Sequence, residues 1–132
     1  MERARARIGT GGGRRESVVE AGHLRRFCQA IGDDNPRWRS EAPPTFLVAI
    51  SSETLDLPEA MAYGQGWLNG GDHFRFVEPV RVGDTISALT RLIDVFEKQG
   101  GSGSMLFLVS ETTLTNQHGR VVATITGTRI RR

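Results

Sequence analysis

The feature that most restricts the fold of this chain is a change in its hydrophobic period near residue 67. From there on apolar and polar residues alternate, as they do in β-strands that bury one face. The alternating runs cover residues 72–77, 85–98, 104–115 and 120–130. Turn sequences separate them: Glu78-Pro79, Val82-Gly83-Asp84, Gly100-Gly101-Ser102-Gly103 and Asn116-Gln117-His118-Gly119. The alternation changes phase near Asp94, which predicts a β-bulge. Long consecutive strands of this kind predict an antiparallel sheet.

An amphipathic helix is predicted over residues 21–31, upstream of the sheet. Its apolar face carries Leu24, Phe27, Cys28 and Ile31. Cys28 is therefore expected to be a core thiol. Arg25 and Arg26 lie off that face and are expected to be in solvent. Residues 17–19 are expected to form a short entry strand.

A second helix is predicted to begin near Pro44 and to continue through Ser51 or Leu55. Residues 46–50 are apolar on every side, so this helix is expected to be buried nearly all round. A short helix is expected around Met61. Strands that follow such a helix favour a sheet wrapped around it, and the predicted fold class is therefore α+β.

Length and cysteine content restrict the setting of the protein. The chain has 132 residues, enough for one domain with a single core. No apolar run approaches the roughly 20 residues that a membrane helix needs. Its one cysteine, Cys28, cannot form an internal disulfide. A reducing, cytoplasmic location without membrane association is therefore predicted.

The basic residues are concentrated at the start of the chain. Residues 1–15 include five arginines and carry a net charge of +4, whereas the rest of the chain carries −2. The pI of about 9.3 is thus a property of this segment, and nucleic acid is not predicted as a partner. Because the segment also contains a glycine run, residues 1–15 are predicted to be a flexible basic tail that precedes a domain at residues 16–132.

The turn that follows the first helix holds the residues best suited to chemistry. It reads Gly32-Asp33-Asp34-Asn35-Pro36-Arg37-Trp38. The residue before a proline favours extended geometry, so the two carboxylates are expected to overhang the neighbouring surface. They could work as an acid–base pair, or one of them could cap the turn through bonds to the backbone. The histidines have no metal-ligand spacing, so no metal is predicted, and only His73 is considered near a site.

Several stretches resemble the MaoC-like hot dog-fold hydratases and dehydratases. Residues 27–36, Phe-Cys-Gln-Ala-Ile-Gly-Asp-Asp-Asn-Pro, resemble the overhang motif of that family. Four others look like its N-terminal-type subgroup: residues 42–46, 68–71, 79–84 and 111–116. The resemblance covers roughly residues 17–130. It implies a hot dog fold whose subunits pair through their sheets and bind acyl-CoA or acyl-carrier-protein thioesters at the interface.

The resemblance also implies roles for individual residues. Active members use an Asp, then Asn-Pro, then a His five residues after the Asp, to activate water across an enoyl thioester. Asp33 matches the Asp, but Trp38 occupies the His position, and an indole is only a hydrogen-bond donor. Asp33 is thus expected to have a vestigial or weak catalytic role. Substrate-binding roles are implied for Asn35, Pro36, Trp38, Pro43, Pro44, Thr45, Gly70, Gly71 and His73.

The function implied is that of a subunit of an enoyl-CoA hydratase or 3-hydroxyacyl thioester dehydratase. The chain would bind the acyl group, and a second MaoC-like hot dog chain would supply the working Asp and His. A homodimer is the other expected assembly, and no cofactor beyond the thioester substrate is expected. Two alternatives stay open: a self-sufficient hydratase or thioesterase that uses Asp33, and a non-enzymatic acyl-CoA-binding module.

Overall fold

The structure is a computed structural model that describes residues 1–51, 55 and 57–132. Five antiparallel strands form one sheet: β1 (Arg15–Val18), β2 (Trp67–Phe76), β3 (Thr85–Gly100), β4 (Gly103–Thr115) and β5 (Val121–Arg131). The helices are α1 (Glu2–Arg5), α2 (Ala21–Ile31) and α3 (Leu47–Ser51), with 3₁₀ helices at Pro36–Arg39, Pro44–Phe46 and Pro58–Tyr63. The strand order is β1-β3-β4-β5-β2, which places β2 at one edge. The predicted α+β class, with an antiparallel sheet around a central helix, is confirmed.

Strands β2, β3 and β4 are longer than their sequence patterns predicted. The first long strand begins at Trp67 rather than at residue 72, because a bulge between Asn69 and Gly71 absorbs the glycine pair that interrupts the alternation. A larger residue at Gly70 would be crowded, since a Cβ there would lie 3.0 Å from the Thr128 side chain. The bulge predicted near Asp94 is confirmed, with a register shift between Leu92 and Asp94.

The main core lies between α2, the start of α3 and the inner face of the sheet. Phe46 is fully buried at its centre, and the rings of His23 and Phe27 meet it edge-on at 5.0 and 5.4 Å. Leu24 and Cys28 are buried as predicted. These rings hold the central helix at a fixed distance from α2 and from the turn that follows α2.

The expectation that the central helix is buried on every side is wrong. Leu47 is 2% exposed, but Val48, one residue on, is 46% exposed. The sheet covers only one side of a helix this short, so the other side faces out of the subunit. The part of the predicted helix beyond Ser51 lies mostly outside the described residues. The short helix expected around Met61 is confirmed as a 3₁₀ helix. Ile31 is half exposed because α2 ends there.

The division of the chain into a flexible tail at residues 1–15 and a domain at residues 16–132 stays a prediction. Ala4, within residues 1–15, is nevertheless 1% exposed in a second, smaller core. The backbone N–H of Gly9 donates to the Leu92 carbonyl at 2.8 Å, and the Leu92 N–H donates to the Thr10 carbonyl at 2.9 Å. These contacts need partners far along the chain, so local periodicity could not indicate them.

Within the described ranges, no helix has both the length and the apolar character needed to cross a membrane.

Candidate functional site

The turn after α2 is built by its own polar side chains. Gly32 ends the helix in the left-handed region, at φ 69°. Asp33 Oδ1 then accepts the Asn35 N–H at 3.1 Å. In the same way Asn35 Oδ1 accepts the Arg37 N–H at 3.0 Å, which starts the 3₁₀ helix Pro36–Arg39. The prediction that an aspartate caps this turn is confirmed for Asp33.

A groove of about 540 Å³ lies between α2 and this turn, and we call it the overhang groove. Its lining includes Arg25, Cys28, Asp33, Asp34, Asn35, Trp38 and Arg39. Cys28 lies at its base, where burial and, to a lesser degree, the charge of Asp33 raise the pKa of the thiol. A neutral thiol is a poor nucleophile, so Cys28 adds an apolar surface rather than a reactive group.

A second groove, of about 270 Å³, lies on the other side of Trp38, and we call it the apolar groove. Its lining includes Trp38, Pro43, Pro44, Leu47, Phe76, Val77 and Val80. Trp38 is the side chain at which the two grooves meet. The structure thus brings Asp33, Asn35 and Trp38 together in one groove, and Trp38, Pro43 and Pro44 together in the other.

Contacts around Trp38 hold it in place. The Arg37 guanidinium lies 5.8 Å from the centre of the indole ring. Arg37 also forms an ion pair with Glu41. The hydrogen bond that Arg37 donates lowers the pKa of the Glu41 carboxyl group. The Trp38 Nε1 atom is buried and has no hydrogen-bond partner among the described residues. The wall between the grooves is therefore an apolar ring whose polar atom meets no acceptor there.

No histidine lines either groove in the part of the chain that the structure describes. His23 packs on Phe46, and His118 lies in an exposed turn beside Gln117. His73 pairs with Thr126, whereas the next residue, Phe74, pairs with the core residue Ile125. Alternation along β2 places His73 on the outer face of the sheet, away from α3. The arrangement therefore brings no imidazole to Asp33.

The start of the central helix offers few backbone donors to a ligand. Pro43 and Pro44 have no N–H group, and the Phe46 N–H donates to the Pro43 carbonyl at 2.9 Å. The first donor on this segment is therefore the N–H of Thr45. Thr45, Pro36, Gly70 and Gly71 line neither groove. The binding roles implied for these residues and for His73 stay predictions.

Several groove residues had no signal in the sequence analysis. Arg25 is exposed, as predicted, and Arg39 is exposed too, yet both line the overhang groove. Phe76 is the last residue of β2, and Val77 follows it, just before the turn at Glu78-Pro79. Only the packing of β2 beside Pro43 and Pro44 shows that they face a groove. The three-residue offset of Arg25 from Cys28 is the one local clue, since such residues lie side by side on a helix.

An apolar margin adjoins the grooves at the free edge of the sheet. Within the described residues β2 pairs on one side only, with β5. Val48, Phe76 and Val77 are 46%, 46% and 55% exposed, and Phe76 stacks on Phe74 with a ring separation of 5.8 Å. An unpaired strand beside exposed apolar side chains is a surface suited to another sheet.

Solved structures of other proteins share this architecture. The ChsH1–ChsH2 complex from Mycobacterium tuberculosis contains a chain that matches with a TM-score of 0.82 at 18% identity, over 98% of this chain and 89% of that one. The HadBC (3R-hydroxyacyl-ACP dehydratase) complex from the same organism matches with a TM-score of 0.72 at 21% identity, over 94% and 96%. Together with the sheet order and the central helix, these matches define a MaoC-like hot dog fold.

The sequence relationship is more specific than the fold. The model of the family described as "FAS1-like, dehydratase domain region" matches residues 6–125. This chain belongs to that family. It is also 30% identical to a UPF0336 protein of Thermobifida fusca (strain YX), in a match that covers 78% of this chain and 76% of the relative. The predicted membership in the MaoC-like hot dog dehydratases is confirmed, while the N-terminal-type subgroup stays a prediction.

Proposed function

We propose that this chain is a subunit of an enoyl-CoA hydratase or 3-hydroxyacyl thioester dehydratase. It contributes an acyl-binding surface and a subunit interface, and its partner contributes the acid and the base. The observation that carries the proposal concerns the wall of the overhang groove beside Asp33. That wall is the Trp38 indole, whereas the reaction needs an imidazole there. Membership in a dehydratase family supports the reaction class.

Hydration of an enoyl thioester requires one group to take a proton from water and one to deliver a proton to carbon. A carboxylate can accept a proton, but an indole N–H neither accepts nor releases one near neutral pH. Beside Asp33, the described lining of its groove holds a second carboxylate, Asp34, and the Cys28 thiol, but no imidazole that could complete the transfer near neutral pH. Alone, Asp33 can at most orient a water molecule.

A second hot dog subunit would supply the missing groups. The unpaired edge of β2 and the exposed Val48, Phe76 and Val77 give such a partner a surface to cover. The ChsH1–ChsH2 and HadBC structures are both complexes, which supports a hetero-oligomer over a homodimer. The apolar groove would hold the acyl group of a CoA or carrier-protein thioester. The proposal needs no other cofactor and places the complex in the cytoplasm.

The test is hydration of crotonyl-CoA and longer 2-enoyl-CoA thioesters by the purified chain, alone and after co-expression with a neighbouring hot dog chain. We expect no measurable turnover alone and turnover in the complex. Asp33→Asn is the informative variant, because its amide oxygen can still accept the Asn35 N–H while the carboxylate is lost. In the complex, Asp33→Asn is expected to leave kcat unchanged, whereas Asp33→Ala also removes the cap.

Two other results would favour the alternatives. Turnover by the isolated chain that is lost in both Asp33→Asn and Asp33→Ala would show a self-sufficient enzyme, a possibility favoured by the position of Asp33 in the larger groove. Binding of crotonyl-CoA without turnover, alone and in the complex, would show a non-enzymatic binding module.

A further inference from the structure

Strand β2 presents two basic side chains at the free edge of the sheet, on the face away from the central helix. His73 and Arg75 alternate with the inward-facing Phe74, and both are exposed. Among the described residues, neither side chain has a hydrogen-bond or ion-pair partner. The guanidinium of Arg75 is therefore available to a carboxylate on a strand that is added to this edge.

The acidic residues of the same segment are already paired. Asp72 accepts a hydrogen bond from the Arg129 guanidinium at 3.1 Å. Glu78, just beyond the end of β2, forms an ion pair with Arg120 at 2.9 Å. Residues 67–79 contain no other Asp or Glu. A second copy of this chain, pairing through the same segment, therefore brings no unpaired carboxylate to the edge.

Symmetry restricts how two copies of β2 could pair with both central helices on one side of the joined sheet. Opposite residues of antiparallel strands lie on the same face, so the two-fold axis must pass through a residue. Three registers set a phenylalanine of β2 opposite a phenylalanine: those centred on Phe74, Arg75 and Phe76. The last pairs only the terminal residue of the strand. The first places Arg75 opposite His73, and the second places Arg75 opposite its own copy, so neither supplies an opposite charge.

We propose that Arg75 makes the edge of β2 select a carboxylate-bearing strand of a different hot dog chain over a second copy of this chain. The inference rests on the proposed function, which takes a second, different chain as the partner. That partner's edge strand carries an Asp or Glu opposite Arg75 on its outer face, and apolar side chains opposite Phe74 and Phe76 on its inner face. Opposite charges on facing residues of neighbouring strands stabilise the pair, and like charges destabilise it.

The first test is sedimentation equilibrium of the full chain without a partner. Arg75→Glu sets a carboxylate opposite His73 twice across the axis centred on Phe74, so self-association is expected to tighten by about threefold to thirtyfold. Arg75→Gln only removes the charge and should have a smaller effect. Arg26→Glu is the matched control, because it makes the same change in net charge at an exposed position on α2 and should leave self-association unchanged.

The second test is calorimetric titration of the same variants with the neighbouring hot dog chain that forms the active complex. Arg75→Glu is expected to weaken this complex by about threefold to tenfold, Arg75→Gln by less, and Arg26→Glu not at all. Changing the facing carboxylate of the partner to lysine should restore the affinity for the Arg75→Glu variant. A loss of stability alone would not be rescued in this way. Unchanged circular dichroism melting curves check that the variants are folded.

The outcomes separate this inference from the proposed function. A complex that binds the wild type and Arg75→Glu equally well, or a partner edge strand with no Asp or Glu on its outer face, would refute selection by Arg75. Self-association that Arg75→Glu does not tighten, or that Arg26→Glu tightens equally, would refute it too. In each of these cases hydration of crotonyl-CoA by the complex still supports the proposed function. Failure of the two chains to form any complex would overturn both.

Discussion

Thr90 and Thr112 form a buried pair on the inner face of the sheet. Replacing them separates the contribution of a hydrogen bond to the free energy of unfolding from the contribution of packing. They are register partners on β3 and β4, 1% and 7% exposed, with 2.7 Å between their hydroxyl oxygens. Valine has nearly the same shape as threonine. Thr90→Val therefore leaves the Thr112 hydroxyl buried without its partner, and Thr112→Val does the reverse.

Each single substitution is expected to lower the free energy of unfolding by about 1–3 kcal/mol, the cost of a buried hydroxyl left unpaired. The double substitution removes both hydroxyls together and is expected to lie within about 1 kcal/mol of the wild type. The coupling energy of the double-mutant cycle should then be about 1 kcal/mol or more.

Urea unfolding followed by circular dichroism measures these differences, with an unchanged m-value as the check that the denatured state is unaltered. Thr113→Val is a suitable control, because Thr113 faces outward opposite Thr124 and is only half-buried. Its effect should be within about 0.5 kcal/mol. Additive single effects, with the double variant as unstable as their sum, would refute the reasoning by showing that the two hydroxyls do not depend on each other.

Four further outcomes are expected. The hydrogen bond from Arg37 lowers the pKa of Glu41 in the fold, so the contribution of Glu41 to stability is present above the ordinary value of 4.5 and is lost as the pH falls through the lower folded pKa. The stability gap between the wild type and Glu41→Gln in urea should therefore narrow as the pH falls below 4.5. Removal of residues 1–13 should lower the melting temperature by several degrees, because it breaks two backbone bonds and exposes part of the smaller core. Phe76→Asp should reduce the fraction of dimer measured by light scattering, because Phe76 lies at the exposed apolar margin on β2, the edge strand that pairs with β5. Met61→Asp should not, because Met61, although 71% exposed, lies in the 3₁₀ helix Pro58–Tyr63 rather than on β2. Trp38→His should not confer crotonyl-CoA hydration on the isolated chain.

The sequence predicted the sheet well because alternation and glycine-rich turns are local signals, and even the phase change near Asp94 marked a real bulge. The predictions were wrong where the burial of a residue depends on residues far along the chain. The exposure of Val48 depends on how far the sheet curves around α3, and the burial of Ala4 depends on residues more than fifty positions away. The helix spacing that marked Cys28 as buried said nothing about the groove beside it.

The residues of the candidate site could likewise be predicted only in part from the sequence. The turn sequence pointed to Asp33, the family resemblance pointed to Asn35, and both residues line the overhang groove. Spacing could not show that Pro43 and Pro44 line the same groove as Trp38, nor that Arg25 and Arg39 both line the overhang groove. Those relations arise from the packing of α2 on Phe46, which sets the distance between segments that the sequence keeps apart.

One substitution is not expected to restore chemistry at Trp38 because an imidazole needs more than its position. A catalytic histidine requires an acceptor for its second ring nitrogen, which sets its tautomer and holds its orientation. The existing donor at this place, Trp38 Nε1, meets no acceptor among the described residues. An imidazole there would be equally unsupported, and its smaller ring would leave space in the wall between the two grooves. The Arg37 side chain, which now lies over the indole, would lose most of that ring surface. The surroundings of residue 38 as a whole therefore favour an apolar partition over a proton shuttle.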